Sequence, residues 1–380
     1  MSGYYEFDTD SAASFAAPFL MDSPARAVEV GDGNLNRVFR VLGGDGSVVV
    51  KQALPYLKVA GEDWPLTRNR SRIERWALHE HERMAPGLVP EVVYFDEELS
   101  AIVLEDLDTY ESWRELLIAG RPTPGVAASI GRYSAAVLLG TSHVTQASEE
   151  RKRLRSQFTY SELCLVTEEL VFTAPYTTST SNHYDPGLEP FASALRHDTA
   201  LRMAVAELRY AFRTRDEALI HGDLHTGSVL VGPDDSRVID LEFAFFGPIG
   251  FDPGILLGNL VLSSIAHAIQ GHREYADLVR HYATEYWRAF TEECRRVWQP
   301  TEPWFHRFLA GVLADAGRFA GVEMIRRMVG LAHVKDIDSL PEPLRFEAQR
   351  RVIEGGRSLV IGPACTTIDE FWSRATGTEL

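Results

Sequence analysis

Cysteine is scarce: Cys164, Cys294 and Cys365 are the only three in 380 residues. They lie far apart and match no metal-ligand spacing. An odd, sparse set argues against a disulfide framework and fits a reducing cytoplasm. No run of eighteen apolar residues occurs, so no membrane span is expected. The opening M-S-G-Y-Y-E-F-D-T-D lacks the basic start and apolar core of a secretory signal, and none is expected. Positive charge is also short. Lys and Arg number 38 against 54 Asp and Glu, a formal net charge of −16. That argues against nucleic acid as a partner, because phosphate affinity needs a positive surface. An acidic protein that handles phosphates must concentrate positive charge locally, from magnesium or from a few arginines. Internal repeats and low-complexity tails are absent as well.

What is present is a 45% apolar chain, long enough at 380 residues for two domains or one domain of two lobes. One stretch organises it, Leu219 to Gly254. Two apolar β-type runs, Val229 to Val231 and Arg237 to Ile239, are joined by a turn at Pro233 and Asp234. Asp223 precedes the first run, and Asp240 and Glu242 follow the second. Such a hairpin brings the carboxylates at its open end together. Three carboxylates around one pocket repel each other and stay ionised only with a cation among them, so the stretch is a metal-site candidate.

The first hundred residues read as strand-rich with one helix. Val28 to Val30 leads into G-D-G-N-L-N (Gly31 to Asn36), Val38 to Leu42 leaves it, and Gly43 to Gly46 is a hairpin turn before a third strand, Val48 to Lys51. A glycine loop between β-runs lets backbone N–H groups approach phosphate oxygens, and a lysine at the end of the next strand supplies charge. Lys51 also has a plainer reading, as an edge-strand gatekeeper. Thr67 to Met84 fits a helix with Thr67 or Asn69 as N-cap, and Glu74 on it either reaches Lys51 or stays solvated. Strands at Val92 to Phe95 and Ala101 to Leu104 follow. The second runs into Glu105, Asp106 and Leu107, where the character turns helical, so the lobe boundary is expected there, giving 1–106 and 107–380. Beyond it, Ala127 to Val144 is a central apolar helix, Arg151 to Arg155 a solvated face and Ala174 to Pro190 a loop. Phe191 to Asp216 reads as one long amphipathic helix, and Ile255 to Ile269 as a buried one.

The chemistry of the core stretch is that of phosphoryl transfer, where the protein mainly positions reactants and neutralises charge. One aspartate must face the acceptor hydroxyl, and further carboxylates must hold magnesium against phosphate oxygens. Asp223, flanked by His221 and His225, fits the first role. Asp240 and Glu242, two apart on an extended segment, project to one side and fit the second. Ser228 is either a further oxygen ligand or a loop hydroxyl bonded to backbone. His225 reads as structural rather than catalytic. The segment Met324 to Val334, M-I-R-R-M-V-G-L-A-H-V, is too apolar for a surface helix, and burying guanidinium groups without anions is costly. Two readings stand: Arg326 and Arg327 pair with Glu323 at i+3 and i+4, or at least one enters the cleft.

H-G-D-L-H followed by a hairpin and an acidic motif resembles the kinase-like phosphotransferases: aminoglycoside phosphotransferases, choline kinases and relatives. More narrowly, H-G-D-L-H-T-G-S with E-F-A-F-F-G-P-I-G-F-D is similar to the bacterial 5-methylthioribose kinases. D-G-N-L-N, K-Q-A-L-P-Y, G-E-D-W-P-L-T, L-E-D-L and G-V-E-M-I-R-R-M-V-G-L-A-H-V extend the likeness over nearly the whole chain. The resemblance implies an α+β, bilobal protein-kinase-like fold, with an antiparallel sheet plus helix in the N-terminal lobe and a larger, mainly helical C-terminal lobe. It implies ATP and Mg2+ as cofactors and a small-molecule sugar as substrate, phosphorylated at the C1 hydroxyl of 5-methylthioribose in methionine salvage. A cytoplasmic homodimer is the expected setting. Kinases for a related 5-deoxypentose, and aminoglycoside or amino-alcohol phosphotransferases, are the alternatives.

Carried over by position, Asn36 and Lys51 contact nucleotide phosphates. Glu105, Asp106 and Leu107 meet adenine through backbone groups. Asp223 is base or hydroxyl-orienting group and touches the sugar. Asp240, Leu241 and Glu242 lie at the nucleotide, with Asp240, Glu242 and Ser228 on the metal. Arg326 and Arg327 bind the sugar, and Trp64 either gates that site or simply packs. The family usually reads D-P-E where this chain has Asp240-Leu241-Glu242. Leucine frees a backbone N–H and is expected to relax the turn. Asp108 to Gly125 departs from the family pattern too.

Overall fold

The computed structural model describes residues 3–20, 26–30, 35–44, 46–58, 61–158, 162–299 and 302–377. Four residues of the glycine loop, Gly31 to Asn34, and Asp45 of the predicted hairpin turn lie outside them. The chain opens with helix α1 (Thr9–Ala16), whose N-cap Asp8 accepts from Ser11 N–H while the Ser11 hydroxyl answers to Asp8 N–H. Strands β1 (Arg26–Glu29), β2 (Asn36–Leu42) and β3 (Ser47–Ala53) follow, then the small hairpin β4 (Tyr56–Leu57) and β5 (Gly61–Pro65). Helix α2 (Arg70–Met84) precedes β6 (Val92–Asp96) and β7 (Ala101–Glu105). The five-stranded sheet is antiparallel in the order β1-β2-β3-β7-β6.

Two-residue alternation along these strands decides what each face carries. Phe39, Val41, Val48, Val50, Ala101 and Val103 turn to one side, where Phe7, Ala12 and Ala16 cover them. The same alternation sends Lys51 to the other side, towards α2. Lys51 is buried in the sheet face and stands opposite Val38 and Ile102, so it is not an edge-strand gatekeeper.

After Glu105 helices dominate. A two-residue strand β8 (Glu111–Ser112) leads to α3 (Trp113–Ile118), α4 (Val126–Gly140), α5 (Ser148–Gln157), α6 (Leu163–Phe172), α7 (Glu189–His197) and α8 (Thr199–Thr214). The single helix predicted over Phe191 to Asp216 is therefore two. Asp198 interrupts it in an extended conformation and accepts the Leu201 N–H at 3.0 Å, an N-cap that starts a new helix. The basic run at 151–155 is also less solvated than its composition implies. Arg151 is buried, lies 4.8 Å from the centre of the Phe246 ring and donates to the Asp216 carbonyl.

The organising stretch folds as β9 (Ala218–Ile220), a loop, the hairpin β10 (Val229–Val231) and β11 (Ser236–Val238), a 3-10 turn over Leu241–Phe243, and β12 (Phe245–Gly247). β12 returns antiparallel to β9, so both ends of the stretch are tied together. The remainder is α9 (Phe251–Ile269), α10 (Arg273–Trp298), α11 (Glu302–Val329), α12 (Lys335–Asp338), α13 (Leu344–Ile361) and α14 (Ile368–Thr376). Helix α9 is long and apolar enough to cross a membrane, yet it packs between α10 and α11 with nearly every residue buried.

Candidate active site

The loop after β9 is built from backbone outward. Asp252, in the first turn of α9, accepts the N–H of His221 at 2.7 Å and of Gly222 at 3.0 Å. The His221 ring accepts the Asp223 N–H on Nδ1 at 3.2 Å, and its Nε2 bonds the Ile239 carbonyl at 2.9 Å. Gly222 makes the bend with φ of +85°, and a Cβ there would stand 2.3 Å from the Phe243 carbonyl oxygen. Gly222→Ala is therefore expected to cost several kcal/mol, by strain plus a backbone clash. Chemical denaturation with an activity assay tests this; a soluble, fully active Ala variant would refute it.

The loop hydroxyl and imidazole that follow are used locally. Ser228, predicted as a metal ligand, has its buried Oγ on the Asp223 carbonyl at 3.1 Å and against His225 Nδ1 at 3.0 Å. In this arrangement it braces the loop, as the loop-hydroxyl reading expects. Burial and the neighbouring guanidinium groups of Arg114 and Arg327 push His225 well below the usual imidazole range, so it is neutral. It accepts the Ser228 N–H at 3.0 Å and presents Nε2 to Asp223 at 3.6 Å.

The three carboxylates do not gather around one pocket, as the hairpin reading expected. Among the described residues no cluster of three or more acidic, His or Cys side chains is arranged to hold a metal. Asp240 and Glu242 go to one side, with Lys51. Lys51 Nζ donates to Glu74 Oε1 and to Asp240 Oδ1, both at 2.8 Å, and lies 3.5 Å from Glu242 Oε1. Burial opposes the Lys51 charge, but those carboxylates outweigh it and hold the ammonium well above its ordinary range. Lys51 is thus the cation that the acidic cluster requires. Against the effect of burial, it holds Asp240 below the usual carboxylate range.

Asp240 sits in the left-handed region at φ of +65° and ψ of +52°, which aspartate tolerates better than most residues. Leu241 follows it as the first residue of the 3-10 turn. Its side chain is fully buried, and its carbonyl closes the 3-10 turn by accepting from Ala244 N–H. Asn36, expected at phosphate, has its amide engaged. Nδ2 donates to Glu242 Oε1 at 2.9 Å, and Oδ1 accepts from Arg70 Nε at 3.0 Å. The residues still fit a magnesium ion by their chemistry. Glu242 Oε2 is a buried carboxylate oxygen whose near cation is Arg70, with Nε at 3.2 Å, and the Asp240 side chain is half exposed. Glu105 and Asp106 have their carboxylates tied up, on the Glu91 N–H and on Arg40 respectively. Leu107 carries its carbonyl on the Tyr110 N–H at 3.0 Å.

Asp223 goes to the other side, into a cavity of about 430 Å³. Leu57, Trp64, Leu66, Val166, Leu170 and Leu331 give it an apolar wall, and Asp223, Arg114, Arg326 and Arg327 a charged end. Both readings of the double arginine hold at once. Each guanidinium uses Nε on Glu323, Arg327 at 2.7 Å and Arg326 closer still. The outer nitrogens face Asp223 Oδ1, at 3.4 Å from Arg326 Nη2 and 4.0 Å from Arg327 Nη2. Burial would raise the Glu323 carboxyl, but the two arginines prevail and bring it down to about 2.

Residues 26–296 match the phosphotransferase enzyme family. The chain is 40% identical to a methylthioribose kinase of Pectobacterium atrosepticum, over 98% of each chain. It is 38% identical to a methylthioribose kinase of Bacillus cereus, over 94% of this chain and 93% of that one. The chain belongs to the methylthioribose kinase family. Among solved structures it is similar to spectinomycin phosphotransferase in complex with ADP and spectinomycin, with a TM-score of 0.50, 13% identity and 99% of each chain covered. That likeness speaks to the fold, the protein-kinase-like one.

Several residues that set the geometry of this methylthioribose kinase relative escape a motif reading. Arg70, fully buried at the start of α2, bonds the carbonyls of Leu35, Leu54 and Thr67 and lies 3.2 Å from Glu242 Oε2. In sequence it is one arginine of R-N-R-S-R at a helix start, which reads as solvated. Asp252 had a usable signal, a lone carboxylate inside the apolar run G-F-D-P-G-I-L-L. Asn259, which donates to Glu323 Oε1 at 3.1 Å, had a similar one.

Proposed function

We propose that this kinase transfers the γ-phosphoryl group of ATP to the C1 hydroxyl of 5-methylthioribose, in methionine salvage. The observation that carries the reading is a cavity with Asp223 and two guanidinium groups at one end and an apolar wall at the other. A pentose with hydroxyls on the ring and a methylthio group at C5 has that polarity. Asp223 orients the anomeric hydroxyl and accepts its proton as the bond to phosphorus forms. Arg326 and Arg327 lie against Asp223 and stand where charge on the transferring phosphoryl group is neutralised.

On the nucleotide side, Lys51 leaves its carboxylate partners to meet phosphate oxygens, with Glu74 keeping its position. Adenine lies against the backbone of Glu105 to Leu107, at the junction of an N-terminal lobe, 1–106, and a C-terminal lobe, 107–380. Magnesium would be held by Asp240 and Glu242 and would supply neutralisation of the triphosphate charge. The reading places the enzyme in the cytoplasm, where its three free cysteines stay reduced.

A coupled ADP-release assay with 5-methylthioribose, ribose, 5-deoxyribose and kanamycin tests the assignment. Ribose offers a hydroxyl to the apolar wall and forfeits burial of the methylthio group. Its kcat/KM is expected to be lower by roughly 10- to 200-fold. Kanamycin, a polycation, meets the arginine end and is expected not to turn over. Turnover of kanamycin without turnover of the thiosugar would defeat the assignment. Equal rates for 5-deoxyribose and 5-methylthioribose would shift it to a 5-deoxypentose kinase.

A further inference from the structure

The acceptor cavity has a third guanidinium, and it comes from the segment that departs from the family pattern. Arg114 leaves the first turn of α3 and reaches the cavity beside Asp223, His225 and Arg327. Two of its three nitrogens are held from behind. Nη2 donates to Asn259 Oδ1 at 2.7 Å, and Nε lies 3.2 Å from Asp336 Oδ2. Asn259 also donates to Glu323, so Arg114 is fixed to the same buried frame as the double arginine. Asp336 is itself buried, and among the described residues no donor hydrogen-bonds its side chain, so it acts from behind as a counter-charge for Arg114 first and Arg327 second.

The third nitrogen, Nη1, passes over Gly227. A Cβ on that glycine would stand 2.9 Å from Arg114 Nη1 and 2.9 Å from His225 Cε1. Gly227 has no positive φ, so glycine in H-T-G-S is there for room, and the room is filled by this guanidinium. A chain that opens space beside the acceptor aspartate for a charged donor, and fixes that donor from two sides, has built a binding group.

We propose that Arg114 is a substrate-binding residue that sets acceptor specificity: Nη1 donates to a ring hydroxyl of the neutral sugar, with Asn259 and Asp336 as its positioning partners. The inference rests on the pentose reading above and adds a second polar anchor, away from the reacting hydroxyl. A charged donor to one hydroxyl is worth roughly 10- to 100-fold in binding. A site built to bond a hydroxyl rejects an acceptor that lacks it.

The test uses the full-length protein with 5-methylthioribose and its 2-deoxy and 3-deoxy counterparts. Arg114→Ala would strand a buried carboxylate and is expected to fold poorly. The working variants are Arg114→Lys and the double change Arg114→Met with Asp336→Asn, which removes both charges together. The acceptor KM is expected to rise roughly 10- to 100-fold in both, with the KM for ATP within about twofold. One deoxy sugar should suffer a similar loss with the unmodified protein and no further loss with the variants. Additive losses would overturn this inference alone, as would an equal rise in the KM for ATP. Failure of the unmodified protein to use 5-methylthioribose would overturn the pentose reading and this inference with it.

Discussion

Asp223→Asn is expected to lower turnover by roughly 100- to 10,000-fold while ATP binding stays close to that of the unmodified protein. Asparagine has the shape of aspartate but takes no proton from a hydroxyl and carries no charge. The geometry confines the damage. Asp223 contacts Arg326, Arg327 and His225, all in the acceptor cavity. The residues around Lys51 belong to the opposite side. The fold should also survive, because the Asp223 side chain is partly exposed at 30% and both arginines keep Glu323. Titration calorimetry with ATP alongside steady-state rates separates the two sides. Loss of ATP affinity would place Asp223 with the phosphates, and a rate within about tenfold of the original would remove it from proton transfer.

Glu323→Gln is expected to be the most destabilising conservative change in the site, at about 3–5 kcal/mol. It leaves Arg326 and Arg327, both buried, without the anion that their Nε groups share, and it puts an amide among donors. The pH dependence follows from the same two ion pairs. The folded-state value for Glu323 is lowered from 4.5 to about 2. Its contribution is therefore complete above about 4.5 and disappears as pH falls towards 2. Integrated over that interval it amounts to about 3 kcal/mol. Urea denaturation of both proteins between neutral and acid pH checks both numbers. The stability gap should narrow through that window, and a gap below about 1 kcal/mol at neutral pH would contradict the ion-pair account.

Much of this was legible because local rules and tertiary needs agree at the key positions. Two-residue alternation places Lys51 on the face towards α2, and helical spacing from Ile73 puts Glu74 where it meets that lysine at 2.8 Å. Asp223, Arg326, Arg327 and Trp64, assigned to the sugar, line one cavity. At other positions a partner that composition and spacing do not show decides what the side chain touches. Ser228 looks like a ligand by its spacing from Asp223, but its hydroxyl answers to a carbonyl and a ring within its own loop. Asn36 looks like part of a phosphate loop until Arg70 and Glu242 claim both ends of its amide. Leu241, in the middle of the acidic motif, places its side chain in the core. The break at Asp198 and the burial of Arg151 are of the same kind, since a cap and a basic run look alike in solvated and packed settings.

The His221 ring touches both halves of this chemistry, the Asp223 N–H with one nitrogen and the Ile239 carbonyl, next to Asp240, with the other. An aromatic ring has a fixed width, so it serves as a gauge block between the Asp223 loop and the Asp240 turn. Both loops belong to one short stretch closed by β9 and β12. The spacing of Asp223 from Asp240 is thus machined into 36 consecutive residues, Leu219 to Gly254.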